Sequence, residues 1–386
     1  MPLVQYPCPV TRITHEPGHH FFGYYDKSPW DATGRHILAL RVPFMDRPPT
    51  PDDSAVIGTL DCEDDFRWQA LAESRVWCWQ QGNMLQWLPS DPRRRILFNT
   101  RSGDSFATCV LDPATGEREL WPWPVYSLAA DGAAAVTLIF ARLTRTRPGY
   151  GYVGLPDHSA GKCAPEDDGI WHLDLPTRDS RLIVSLAQLA DIEPVDSVQG
   201  VQHWVNHLEW NPGGSRVSFL HRWPAPGGFH TRLFAVDPDG GNLTLLEGSG
   251  VVSHYDWRDD HHILAWTRHG GAAHFHLYND LGDEARVVGA DTLTRDGHNS
   301  FSPDRRWLLT DSYPDRSRHE RLLMLYHLES DTRYDIGRFH SDPTITGAIR
   351  CDLHPRWNRD GSLVCIDSIH EGTRQMYVID VSSLTG

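Results

Sequence analysis

Short apolar runs, each preceded by a turn signal, recur along this chain. Leu363-Val364-Cys365-Ile366 follows Asn358-Arg359-Asp360-Gly361, and Trp307-Leu308-Leu309 follows Ser302-Pro303-Asp304. Ile263-Leu264-Ala265-Trp266 follows Arg258-Asp259-Asp260, and Val217-Ser218-Phe219-Leu220 follows Asn211-Pro212-Gly213. Runs this short, bounded by Asn, Asp, Pro and Gly, read as strands. Each is preceded by a histidine (His354, His298, His254, His207) with an aromatic residue three positions later (Trp357, Phe301, Trp257, Trp210). The histidines are 47, 44 and 56 residues apart, counted from His207. Such periods, with several short strands per unit, predict the blades of a β-propeller.

A second marker recurs later in each unit, a strand running into a polar residue and a turn: Val110-Leu111-Asp112, Trp171-His172-Leu173-Asp174, Phe234-Ala235-Val236-Asp237, Leu277-Tyr278-Asn279-Asp280, Leu325-Tyr326-His327 and Tyr377-Val378-Ile379-Asp380. Together the markers predict an all-β fold, a single seven-bladed propeller domain over residues 1–386. Blade 1 spans 20–80, with its inner strand at Arg35–Arg41. Blade 2 spans 83–122, with Arg95–Phe98, and blade 3 spans 125–190, with Ala134–Phe140 and a long insertion. The last four begin near 205, 252, 296 and 352. The chain stops soon after the third strand of the last blade, which leaves an edge to cover. Leu3–Ile13 is the spare strand-like segment and is expected to close the ring as that blade's outer strand. Segments 43–54 and 147–168, rich in Pro and Gly, read as loop insertions.

Composition narrows the function. A net charge of −15, from 36 basic and 51 acidic residues, disfavours a nucleic-acid partner. No apolar run approaches the ~20 residues of a membrane-spanning helix, so no membrane partner is expected. The seven cysteines are scattered without a CxxC pair, and the first residues lack a signal-peptide pattern. The expectation is a cytoplasmic monomer with reduced thiols. The 15 tryptophans are expected mainly to pack the blades.

Aligning the units puts Tyr24, Met84, Val125, His207, His254, His298 and His354 at one mouth of the central channel. Neutral imidazoles in one small volume suit a divalent metal, zinc or manganese. The expected ligands are His254, His298 and His354, with Cys351 or His207 as a fourth. In His15–Asp26, the adjacent His19 and His20 point opposite ways in an extended segment, so one of them faces the channel as a candidate base, and Gly23 permits close backbone approach. Arg142, Arg145 and Arg147 with Tyr150 and Tyr152 suit an anionic sugar, although Arg145 reads as a solvated charge. Arg101 holds the corresponding place in blade 2, where Asn83 opens the inner strand.

His-His-Phe-Phe-Gly-Tyr-Tyr-Asp (19–26), Arg-Pro-Gly-Tyr-Gly-Tyr (147–152), Asp-Gly-His-Asn-Ser-Phe-Ser-Pro-Asp (296–304), Arg-Cys-Asp-Leu-His-Pro-Arg-Trp (350–357) and Glu-Gly-Thr-Arg-Gln-Met-Tyr (371–377) resemble the oligogalacturonate-lyase-like and ulvan-lyase-like polysaccharide lyases. The resemblance covers almost the whole chain. It implies a seven-bladed propeller that cleaves a uronate-containing oligosaccharide by metal-supported β-elimination. It implies His20 or His19 as base, Arg101 against the uronate carboxylate and Tyr150 as acid, with metal ligands among His254, His298, Cys351 and His354. His19, Asn83, Tyr24, Arg147, Tyr152 and His207 are then the expected substrate contacts. A non-catalytic sugar- or protein-binding propeller and a glycoside hydrolase on the same scaffold are the competing readings.

Overall fold

The computed structural model describes residues 3–282 and 284–386, which form seven sheets in a ring. Blades 1 to 7 span residues 19–74, 86–121, 127–185, 204–250, 252–288, 300–340 and 356–380. Within each blade the strands follow chain order and run antiparallel. The fold is a seven-bladed β-propeller.

The first strand of each blade is the innermost. Side chains at or beside these strands in blades 1, 4, 5, 6 and 7 meet on the axis: the Tyr24 ring lies 5.1 Å from His207 and 5.0 Å from His354, and Tyr25 lies 5.9 Å from His254. The long apolar runs expected to be innermost are instead second strands, such as His36–Val42 and Ile96–Ser102. They are sandwiched between neighbouring blades with both faces covered, which makes them read as continuous apolar runs.

In blades 2, 4, 5 and 7 the tryptophan three positions after the channel residue joins the blade to the previous one. The indole N–H of Trp87 donates to Pro29 O, that of Trp210 to Ser127 O, that of Trp257 to Ser218 Oγ and that of Trp357 to Ser300 O, at 2.8–3.3 Å. Around each bolt lies an apolar cluster from two adjacent blades, for example Leu220, Leu233, Tyr255, Trp257 and Ile263 between blades 4 and 5.

The ring is closed by residues from the start of the chain. Val10–Arg12 pairs antiparallel with Tyr377–Ile379, completing blade 7 as expected. Leu3–Gln5 instead runs parallel to Arg333–Asp335 and becomes a fifth strand on blade 6. The segment expected to be one strand thus serves two blades.

In blade 3 the strand expected over Ala134–Phe140 ends at Thr137. Phe140–Thr146 forms a short helix, α1, which leads into Arg147 and Tyr150. Arg142, 2% exposed, donates to His203 O, Ser159 O and Oγ, Lys162 O and Cys163 O, so its guanidinium organises the insertion from within. Arg145 pairs with Asp157 at 2.6 Å.

Candidate active site

The channel histidines owe their orientation to breaks in strand regularity. In blade 4, Asn206 pairs with Leu220 and Glu209 with Ser218, so His207 and Leu208 oppose a single residue. In blade 5, Val252 pairs with Thr267 and Tyr255 with Ala265, so Ser253 and His254 do the same. Such bulges re-aim a side chain out of the pleat. Met84, His207 and His354 hold φ of +57°, +52° and +42°, a left-handed backbone recurring at one place in the repeat. In blade 1 the corresponding segment is held from outside. Arg356, paired with Asp367 at 2.8 Å, donates to Gly23 O and Tyr24 O. Gly23 has φ +140°, and a Cβ there would sit 2.9 Å from Gln81 O, as the expected close approach requires.

Three side chains form the centre of the site. His298, Asp352 and His354 each offer one ligand atom, all within 4.8 Å of one another. The Nε2 atoms of His298 and His354 are buried, lack a hydrogen-bond partner among the described residues, and each lie 3.9 Å from Asp352 Oδ2. Ligands sharing an ion at ~2.0–2.2 Å lie roughly 3–4 Å apart, so the spacing suits a metal. The Nδ1–H of His298 donates to the buried Asp311 at 2.9 Å, which fixes the tautomer that leaves Nε2 free. Burial alone would raise the Asp352 carboxyl, but Arg350 at 2.6 Å and Arg321 at 2.7 Å outweigh it and hold the group ionised.

His254 stands beside this triad, its ring 4.0 Å from that of His298. Its Nδ1–H donates to Asp296 Oδ1 at 3.0 Å, which leaves the Nε2 lone pair free to accept a proton. Burial, reinforced by His298, lowers its pKa, so the ring is neutral near pH 7. His207 stacks on Tyr255 at 4.1 Å, and neither ring nitrogen has a hydrogen-bond partner among the described residues.

A cationic wall faces the triad. Tyr150 Oη accepts from Arg350 Nη2 at 2.6 Å, and the Arg147 guanidinium lies over its ring at 4.9 Å. Burial opposes ionisation of Tyr150, but Arg350 and Arg147 prevail and bring its pKa below the usual phenol value. Burial has the opposite outcome at Tyr24, whose pKa is pushed well up. Arg222 is 8% exposed and has neither an ion pair nor a side-chain hydrogen bond among the described residues. Its neighbours in charge are Arg147, Tyr150, Tyr24 and Tyr313. A buried guanidinium without a counter-charge is costly, and an anionic ligand would relieve that cost.

Solved structures of oligogalacturonate lyase superpose on this whole ring. One, from Vibrio parahaemolyticus, has a TM-score of 0.69 at 14% identity, over 98% of this chain and 95% of that one. Another, in complex with manganese, has a TM-score of 0.71 at 16% identity, over 97% and 93%. The fold is that of oligogalacturonate lyase. A Mycobacterium tuberculosis puromycin-hydrolyzing peptidase also aligns, at TM-score 0.53 and 14% identity, over all of this chain and 55% of that one. No family model and no curated protein matches the sequence.

On this oligogalacturonate-lyase fold, the residues expected from the sequence divide into two groups. Tyr24, Arg147, Tyr150, His207, His254, His298 and His354 come together at the channel. The others lie elsewhere. His20 Nδ1 is 3.0 Å from Gln375 Oε1 and its ring packs edge-on to Trp68, so it sits between blades 1 and 7, and burial takes its pKa down to about 4. His19 is half-buried, its pKa lowered by burial and by Arg374. Cys351 packs with Ile345 and Ile369, and burial pushes its thiol up to about 11, which is unlike a ligand thiolate. Tyr152 stacks on Phe140 at 4.2 Å and accepts from Asn99 Nδ2. Arg101 is exposed, donating to Gly103 O and Gly154 O. Asn83 is fully buried, and its amide lacks a partner among the described residues.

Sequence reasoning missed Asp352 and Arg222, and with them the residues that hold the site's groups in place: Arg350, Arg321, Asp296 and Asp311. Asp352 had a usable signal: in an extended segment, positions two apart share a face, and it stands two before His354.

Proposed function

We propose that this chain is a lyase that cleaves a uronate-containing oligosaccharide by β-elimination. The unpaired Arg222, beside Arg147 and Tyr150 and facing a preformed His–Asp–His ligand set, carries the reading. The proton α to a uronate carboxylate is weakly acidic, and its removal builds charge on that carboxylate. Arg222, with Arg147, supplies a guanidinium partner for it. His298, Asp352 and His354 would hold a divalent metal, which when bound polarises the same carboxylate. The all-nitrogen-and-oxygen ligand set suits manganese and leaves zinc open. The manganese bound by one oligogalacturonate lyase supports the same choice.

His254, held by Asp296, takes the C5 proton on Nε2. The C5–H electron pair forms the C4=C5 double bond as the C4–O bond breaks. Tyr150, its pKa lowered by Arg350 and Arg147, gives its proton to the leaving oxygen. The base role expected for His20 thus passes to His254, and that of Arg101 to Arg222.

The test is to incubate the metal-supplemented protein with a panel of uronate oligosaccharides and follow ultraviolet absorbance of the unsaturated product. Absorbance should rise on at least one substrate. His254→Ala should lower the rate ~10²–10⁴-fold, and Arg222→Ala should lower kcat/KM roughly 10–100-fold. Cleavage without absorbance would identify a hydrolase, and intact glycan across the panel a binding module.

A further inference from the structure

A cleft of about 380 Å³ opens between blades 2 and 3, and its lining includes none of the channel residues described above. This volume lies in the range of small-ligand sites. Trp123 and Trp171 face it, both only partly buried. Most tryptophans here are consumed by packing, like Trp77 and Trp79, whose rings pair at 5.1 Å. Among the described residues, Trp123 and Trp171 have neither an aromatic nor a cationic partner. Phe106 lies in the same lining.

Arg101 stands outside the lining, at the edge of the cleft near Phe106 and Leu155. It is the cross-strand partner of Phe106, and directly opposed residues of an antiparallel pair project from the same face. Its Nη1 donates to Gly154 O, next to the lining residue Leu155. Its nearest carboxylate, Asp104, is 3.7 Å from Nη2 and solvent-exposed, so that nitrogen can take a further acceptor. Trp123 packs one side on the apolar cluster of blades 2 and 3. The exposed parts of the Trp123 and Trp171 indoles offer flat apolar surface for the C–H face of a pyranose ring, while a guanidinium at the edge matches a ring carboxylate.

We infer that this cleft is a second, non-catalytic glycan site that takes one hexuronate residue, stacked on Trp123 and Trp171 with its carboxylate on Arg101. The choice of a uronate rests on the lyase reading above. The site also touches the helix that carries the catalytic loop, because Phe140 and Ala141 of α1 line the cleft and α1 ends at Arg147.

Saturation-transfer NMR on the full chain, with galacturonate and galactose as probes, tests it. A metal-free Arg147→Ala/Arg222→Ala background removes the channel's own carboxylate partners. In that background, galacturonate should still receive saturation, and Trp123→Ala should abolish it. Arg101→Gln, an exposed change that leaves the fold intact, should weaken galacturonate about tenfold and leave galactose unchanged. Saturation transfer that survives Trp123→Ala, that ignores Arg101→Gln, or that is absent altogether overturns the site. A protein that shows this cleft-dependent transfer but yields no unsaturated product refutes the lyase reading and keeps the cleft. Product without cleft-dependent transfer does the reverse.

Discussion

His298 and His354, from the segments just before the innermost strands of blades 6 and 7, each lie 3.9 Å from Asp352, and neither imidazole Nε2 has another partner among the described residues. The purified protein, prepared without chelators, should carry about one divalent ion per chain by elemental analysis. His298→Ala should lose it, and Cys351→Ser should keep it, because that sulfur lies in an apolar pocket. A pH effect follows from the same burial. His207 and His354 have pKa values driven well below the usual imidazole value, chiefly by burial. Above pH ~6.5 both are neutral whether folded or unfolded and contribute nothing to pH dependence. Below it the unfolded chain takes up protons that the native state refuses, so stability falls by up to ~1.4 kcal/mol per pH unit for each group. The denaturation midpoint should therefore drop between pH 7 and 5, and His207→Gln should make that drop shallower. The histidines were legible in the sequence because a repeat displays them in register. Arg222 was not, because it stands near the far end of the strand Val217–Ala225, in a run from Val217 to Trp223 that is buried throughout and carries no repeat marker. The insertion of the neighbouring blade 3 brings Tyr150 to it. His19 and His20 both stop short of the axis, because the chain reaches it only at the turn of Gly23 and Tyr24, which Arg356 from blade 7 holds.

At the scale of the element, the His-x-x-Trp unit has two parts with separate duties, the first on the axis and the second between blades. Trp257, 1% exposed, buries its ring against blades 4 and 5 and donates to Ser218 Oγ at 2.8 Å. Trp257→Phe should cost about 1 kcal/mol through the lost hydrogen bond, while Trp257→Ala should cost ~3–5 kcal/mol by opening a cavity. Urea titration of both variants checks the order, and metal content should be unchanged in the Phe variant. Turn chemistry and the apolar second strands made the blades readable. The innermost strands were harder to read: pieces such as Gln86–Trp87 and Arg356–Trp357 are two residues long, too short for any periodicity. α1 was hidden for a different reason, since Pro148 and Gly149 directly after it give the stretch the signature of a loop.

For the whole molecule, the ring is held by two short pairings from one segment. Removing residues 1–9 should leave Val10–Arg12 in place on blade 7 and uncover only the edge at Thr332–His340 of blade 6. Removing residues 1–13 should uncover Gln375–Asp380 as well. Hydrogen exchange should report these as two separable losses of protection, and the longer deletion should associate more readily through its exposed edge. Equal protection in all three proteins would mean that neither strand secures the ring. That Leu3–Ile13 closes the ring was legible as an accounting matter, because blade 7 lacked a strand. The division of the segment between two blades was not, because nothing in blade 6 was missing.

The same division sets a schedule for synthesis. Leu3–Gln5 and Val10–Arg12 leave the ribosome more than three hundred residues ahead of their partners, Arg333–Asp335 and Tyr377–Ile379. At ~5–20 residues per second, the first strands wait roughly 20–80 s for them. During that interval each completed blade offers a bare flank to the next, while the N-terminal segment hangs free with no sheet to join. The nascent chain is therefore most vulnerable just before Arg333–Ile379 emerges, and contacts this distant in sequence also slow refolding from denaturant. Circular permutation that joins the present ends and opens the chain between two blades would make the closing strands local. It should speed refolding while leaving the finished ring the same.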